Sequence, residues 1–196
     1  MHRASGFQLI ELLIVLAILA MVALLTVPPL LSLSASLRVD LAAHEMATAL
    51  NEAKSLARRQ SAYVGLKLWV EGNRVAFACY ADGNGNGVRT ADIASGIDPA
   101  MTPRRIFRYF GSGVGFGFPP GVVPRDPGDP SRRLGRLTDP IRFNDSDIAS
   151  FGPLGTATPG SLYLTDGSRE LYVVRVQDLA GKVRVLRWDA SSDAWK

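Results

Sequence analysis

The sequence predicts an α+β chain: a long N-terminal helix, transmembrane in one half and amphipathic in the other, packed on an antiparallel β-sheet head. Three observations carry this reading. Residues 7–27 form an apolar run whose one charge is Glu11. A 3–4 spacing of apolar residues then continues from Leu37 to Ala57. Beyond it the period drops to two, first over residues 64–79 and again over 161–188.

Length and composition suit one domain with an appendage: 196 residues, 47% hydrophobic and 20% charged. The formal net charge of +4 is too small to announce nucleic-acid binding. Cys79 is the one cysteine, so no intrachain disulfide can form. It sits in an apolar alternating stretch, where a thiol packs as a small hydrophobe. With one Cys and two His, a zinc site is not expected.

The apolar run comes first. Phe7–Val27 is 21 residues, which at about 1.5 Å per residue matches a hydrocarbon thickness of roughly 30 Å. It is apolar all round from Leu12 to Leu25, so a single-pass transmembrane helix is expected over 7–27. A cleaved secretory signal fits less well. The basic part is His2 and Arg3, and Thr26-Val27-Pro28-Pro29-Leu30-Leu31 follows the run in place of a small-residue cleavage site. Glu11 is costly in such a segment, on the order of a few kcal/mol near a bilayer centre. It needs a partner or a hydrated place among headgroups.

The stem covers residues 28–60. Pro28-Pro29 are expected to bend or interrupt the helix, because neither donates a backbone hydrogen bond. Leu37, Leu41, Met46, Leu50, Ala53 and Ala57 then mark an amphipathic helix from about Ser34 to Gln60. Its alanines allow a sheet to approach closely.

The head covers residues 61–196. Val64, Leu66, Leu68 and Val70 alternate with more polar positions, Glu71-Gly72-Asn73 supplies a turn, and Val75, Phe77 and Cys79 alternate again. That is a β-hairpin pattern. Ser161–Thr165, Glu170–Val176 and Lys182–Trp188 form a second group, with Asp166-Gly167 and Ala180-Gly181 between them. Arg104–Phe110 and Ile141–Phe143 are fainter strand candidates. A Pro/Gly-rich loop insertion occupies about 111–140.

Three loops bear on chemistry. Asp82-Gly83-Asn84-Gly85-Asn86-Gly87 places oxygen ligands at alternate positions with Gly sixth, as in the first half of an EF-type calcium loop. The twelfth position is Ile93, and Asp92 is the nearest carboxylate. Asp82, Asn84, Asn86 and Asp92 are thus candidate calcium ligands, while the same residues also suit a plain turn. Gly111–Gly121, GSGVGFGFPPG, is followed by no helix start and is read as a surface loop with Phe116 and Phe118 tucked down or touching a partner. Residues 101–142 hold eight Arg and three Asp. Arg125, Arg132, Arg133 and Arg136 there could contact DNA or an acidic partner, or line a solvated insertion. No nucleophile, paired-Cys or metalloprotease motif occurs, so an enzyme is the least expected class.

The N-terminus resembles the class III signal of type IV pilins and pseudopilins. The resemblance rests on the Gly6-Phe7 junction, the single Glu11 and the core Phe7-Gln8-Leu9-Ile10-Glu11-Leu12-Leu13. Gln8 stands where the family usually has Thr. The head resembles the GspH/FimT-type minor pseudopilins through Phe151-Gly152-Pro153-Leu154-Gly155 and a closing stretch containing Gly181-Lys182-Val183-Arg184. The resemblance implies a leader over 1–6, cleavage after Gly6 by a prepilin peptidase, and N-methylation of Phe7. It further implies that Glu11 neutralises the Phe7 amine of its own or a neighbouring chain and sets axial register during assembly. The implied partners are other major and minor pseudopilins, an inner-membrane assembly platform and membrane lipid, with the head in the periplasm. The implied function is a minor pseudopilin of a type II secretion system. The alternative is a FimT-like minor type IV pilin that binds DNA for natural transformation. No cofactor is implied.

Overall fold

The computed structural model describes the backbone of residues 9–196 except 73, 112 and 145, and the side chains in that range except those of residues 25–33. Helix α1 runs Leu9–Gln60. It is followed by β1 (Val64–Glu71), β2 (Arg74–Ala81), α2 (Thr90–Ser95), β3 (Arg105–Ile106) and β4 (Gly115–Phe116). Then come β5 (Arg125–Asp126), β6 (Asp129–Arg133), β7 (Ile141–Arg142), β8 (Ile148–Phe151) and β9 (Gly160–Thr165). The chain closes with β10 (Leu171–Val176), β11 (Val183–Asp189) and β12 (Ala194–Trp195). It divides into two units, one ending at Leu37 and the other spanning Arg38–Lys196.

The fold expected from the sequence is corrected on two points. The transmembrane half is not found: among the described residues no helix is long and apolar enough to cross a membrane. The described apolar side chains run from Leu9 to Leu24 with Glu11 among them. Glu11 is costly in such a stretch, on the order of a few kcal/mol in a hydrocarbon core. The head, in turn, is not one sheet on a helix. Among the described residues twelve strands form three sheets, ordered β3-β2-β1-β8, β12-β11-β10-β9-β4 with β7 also on β9, and β5-β6. At Pro28-Pro29, expected to bend or interrupt the helix, the helical backbone continues through both.

In the larger unit, the second half of α1 buries Val39, Ala42, Ala43, Met46, Leu50, Ala53 and Ala57. Met46, Leu50, Ala53 and Ala57 are the stripe read in the sequence, but its first two positions are corrected: Leu37 and Leu41 are 52% and 43% exposed, and Val39, Ala42 and Ala43 are buried there. The buried residues join one core with Leu66 and Phe77 of the first sheet and Leu162, Leu164 and Val174 of the second. Alanines favour the helix and let both sheets come close. Filling their place with larger side chains would overpack the contact, at about 1–3 kcal/mol each. Truncating fully buried Leu50 to Ala would cost about 2–5 kcal/mol.

The β1–β2 hairpin pairs Val64 with Ala81 through Glu71 with Arg74, which turns Leu66, Leu68, Phe77 and Cys79 to the core. In the second sheet the alternation sorts two faces. Leu162, Leu164, Tyr172 and Val174 face the helix-containing core. Tyr163, Leu171, Val173 and Trp188 form a separate cluster with Leu134. Polar ties fix loops to α1: Lys54 Nζ donates to the carbonyls of Ala180 (2.9 Å) and Gly181 (2.8 Å). The Glu45 carboxylate accepts from the Arg108 N–H, both oxygens at 3.0 Å.

Candidate functional site

Three places can be examined for function, beginning with the N-terminal helix. Glu11 lies in the first turn of α1 and is exposed. So are the large apolar residues around it, from Leu9 (76% exposed) through Leu12, Leu16 and Leu19 to Leu24 (75%). A helix of this composition forms readily because Leu, Ala and Met lose little freedom in it. It buries nothing locally, however, and a contiguous apolar surface of this extent marks an interaction site. Gly6 and Phe7, the expected processing residues, lie outside the described residues.

The candidate calcium loop is the second place. The structure does bring Asp82, Asn84, Asn86 and Asp92 together. Asp82 Oδ1 accepts from the Gly85 N–H (2.8 Å) and Oδ2 from the Gly87 N–H (2.8 Å). Asp92 Oδ2 accepts from the side-chain amides of Asn84 (3.3 Å) and Asn86 (3.1 Å). Both carboxylates are therefore hydrogen-bonded within the loop. Among the described residues no group of three or more acidic, His or Cys side chains could hold a metal. The organiser of the loop is a residue that the sequence reading passed over, Asp98. It is 1% exposed and accepts from the N–H groups of Gly83 (3.0 Å) and Arg89 (2.9 Å). Gly83 is obligatory there, because a Cβ would lie 1.9 Å from the Ile97 carbonyl oxygen. Only the chain order Asp-Gly at 82–83 hinted at this packing, and nothing in the local pattern pointed to position 98.

The arginine cluster is the third. Arg125 and Arg133 are not free: both pair with Asp193, at 2.7 and 2.8 Å. Arg125 Nη1 also donates to the Pro130 carbonyl, and the Trp195 indole N–H donates to the Arg125 carbonyl at 2.7 Å. Arg132 and Arg136 are exposed. The four thus split into two that clamp the β5–β6 hairpin to the C-terminal turn and two that face solvent. Asp193, sixty or more residues away, is the partner that local reading could not supply. Phe116 and Phe118 are tucked down, with Phe116 against Phe110 and Phe118 against Tyr163, both at 4.8 Å between ring centres.

An open cleft of about 840 Å³ runs beside β8, lined by Tyr63, Asn86, Val88, Arg89, Ser150 and Thr156 among others. Its lining brings no nucleophile and base into contact. Cys79 is buried, and burial together with the nearby Glu52 charge pushes its thiol up to about 11, so it is inert at neutral pH.

No protein-family model, no curated protein and no solved structure matches this chain.

Proposed function

We propose that this chain is a structural assembly subunit, a minor pseudopilin of a type II secretion system. In this role it would help initiate or cap a short periplasmic pseudopilus at the inner membrane. One observation carries the reading: an exposed apolar helical stretch from Leu9 to Leu24 contains a single acid, Glu11, in its first turn. An exposed apolar stretch gains most by packing on like helices. A lone carboxylate within it would be expensive to bury unpaired, so it makes docking conditional on a cationic partner. The N-terminal motif supplies that partner. Cleavage after Gly6 would create an amine on Phe7, one helical turn before Glu11. The amine of a neighbouring subunit would then select the axial register in which both charges are satisfied.

The DNA-binding role ranks second, because Asp193 already neutralises Arg125 and Arg133. Copurification from detergent-extracted membranes separates the readings. The wild-type chain is expected to bring down other pilin-like subunits, and Glu11→Leu to lose most of them while the head stays folded. Equal recovery of partners by Glu11→Leu would refute the pairing argument. Recovery of no such partner by the wild type would refute the assembly reading.

A further inference from the structure

The face of the second sheet opposite the α1 core carries an unusual row of charge. Arg142 of β7 lies opposite Ser161 of β9, Ser161 opposite Arg175 of β10, and Arg175 opposite Arg184 of β11. Directly opposed residues of antiparallel strands share a face, and Tyr163, two positions along β9, shares it too. Like charges set opposite one another disfavour the sheet, and no carboxylate interrupts this row.

Arg142, Ser161, Tyr163 and Arg175 line a pocket of about 200 Å³. That is room for several waters at about 30 Å³ each. One acid, Asp126, also lines it and is engaged by the Gly128 N–H at 2.7 Å. Among the described residues, Arg142 Nε donates to the carbonyl of Asp139 (2.8 Å) and Nη2 to those of Gly135 (2.6 Å) and Arg136 (2.6 Å), all neutral, and its guanidinium lies 5.4 Å from the Tyr163 ring centre. Arg175 donates from Nη1 to Ser161 Oγ at 3.2 Å, and its Nε is buried with no partner. The β5–β6 turn presses on the same guanidinium, since a Cβ on Gly128 would lie 2.4 Å from Arg175 Nη2. A guanidinium cannot shed its charge, and a buried donor without an acceptor is unfavourable.

We propose that this pocket binds a small tetrahedral oxyanion of the phosphate or sulfate class between Arg142 and Arg175, with the Ser161 and Tyr163 hydroxyls as further donors. Arg142 Nη1 and Arg175 Nη2 are guanidinium nitrogens left to donate charge-assisted hydrogen bonds to such an anion. Burial pushes the Tyr163 phenol up to about 12, against the opposing pull of Arg142, so the hydroxyl remains a donor at neutral pH. The site does not depend on the assembly role.

The test is calorimetric titration of the full chain, held in a non-ionic detergent, with inorganic phosphate at an ionic strength fixed by chloride. The expected dissociation constant is on the order of 1 mM or tighter. Arg175→Gln should weaken it by roughly tenfold or more, through loss of a charge-assisted hydrogen bond. Tyr163→Phe keeps the ring packing against Phe118 and should weaken it by roughly threefold, so it serves if Arg175→Gln fails to fold. Absence of phosphate binding by the wild type would overturn the proposal. So would unchanged affinity in both variants, or binding of duplex DNA that phosphate does not compete.

Discussion

Replacing Asp98 with Ala should loosen the whole 82–98 loop, and the structure says by how much. The carboxylate is buried and accepts two backbone N–H groups, from Gly83 at 3.0 Å and Arg89 at 2.9 Å. Hydrogen bonds to a charged group contribute about 1.5–3 kcal/mol each. Both donors are partly buried, and water recovers some of the loss, so the lower end applies and the sum is about 3 kcal/mol. For a chain of this length about 1 kcal/mol corresponds to 2–4 °C, which predicts a fall in Tm of about 6–12 °C. Asp98→Asn keeps one acceptor oxygen but turns an NH₂ donor toward a backbone donor, so it should lose about half as much. Asp92→Ala is the control. Its carboxylate bonds exposed amides of Asn84 and Asn86, and its loss should cost under about 1 kcal/mol. Thermal unfolding followed by far-UV circular dichroism measures all three. An Asp98→Ala chain that melts with the wild type, or an Asp92→Ala chain that melts lower than it, would refute the reasoning.

Other consequences follow from the titrating groups. Burial raises the folded pKa of Tyr163 to about 12 from its ordinary value of about 10, so the native state holds its proton more tightly. The stability it contributes is complete below the unfolded pKa and is lost as pH rises from about 10 to 12. Denaturant melts should show that loss, and Tyr163→Phe should remove that part of the alkaline slope. Cys79, raised to about 11 by burial first and Glu52 second, should react with a thiol reagent at pH 8 only after unfolding. Rapid labelling of the native chain would contradict its burial. Burial tends to raise the Asp166 carboxyl, but bonds from Ser168 Oγ and from the N–H groups of Ser168, Arg169 and Glu170 outweigh it and hold it below the usual carboxylate range. Its stabilisation is present above the unfolded pKa of about 3.9 and fades as pH falls through the lower folded value. Asp166→Ala should therefore destabilise the chain at neutral pH and less so in acid.

The alternation of Val64, Leu66 and Leu68 with Val75, Phe77 and Cys79 made the first hairpin legible, since period two leaves little choice of face. The final three long strands were legible for the same reason, with Asp166-Gly167 and Ala180-Gly181 as punctuation. The short strands β4 to β6 were not, because Gly115-Phe116 or Arg125-Asp126 carries no period at all and is held by partners far along the chain. The helix stripe was legible from Met46 to Ala57 and misread only at its start. Leu37 and Leu41 look like core, yet the close approach of two sheets selects Val39, Ala42 and Ala43. The expected membrane span has no counterpart among the described residues, where no helix is long and apolar enough to cross a membrane. Of the candidate sites, the grouping of Asp82, Asn84, Asn86 and Asp92 was visible in the sequence, whereas Asp98 and Asp193 were not. Each acts on residues brought to it by folding.

The central claim is that this chain matures and assembles as a pseudopilin subunit, and the N-terminus of the protein recovered from membrane fractions tests it most directly. Intact-mass and N-terminal peptide mass spectrometry should find a chain that begins at Phe7 and carries one N-methyl group. A chain retaining Met1, or one cut after Val27, would contradict the account.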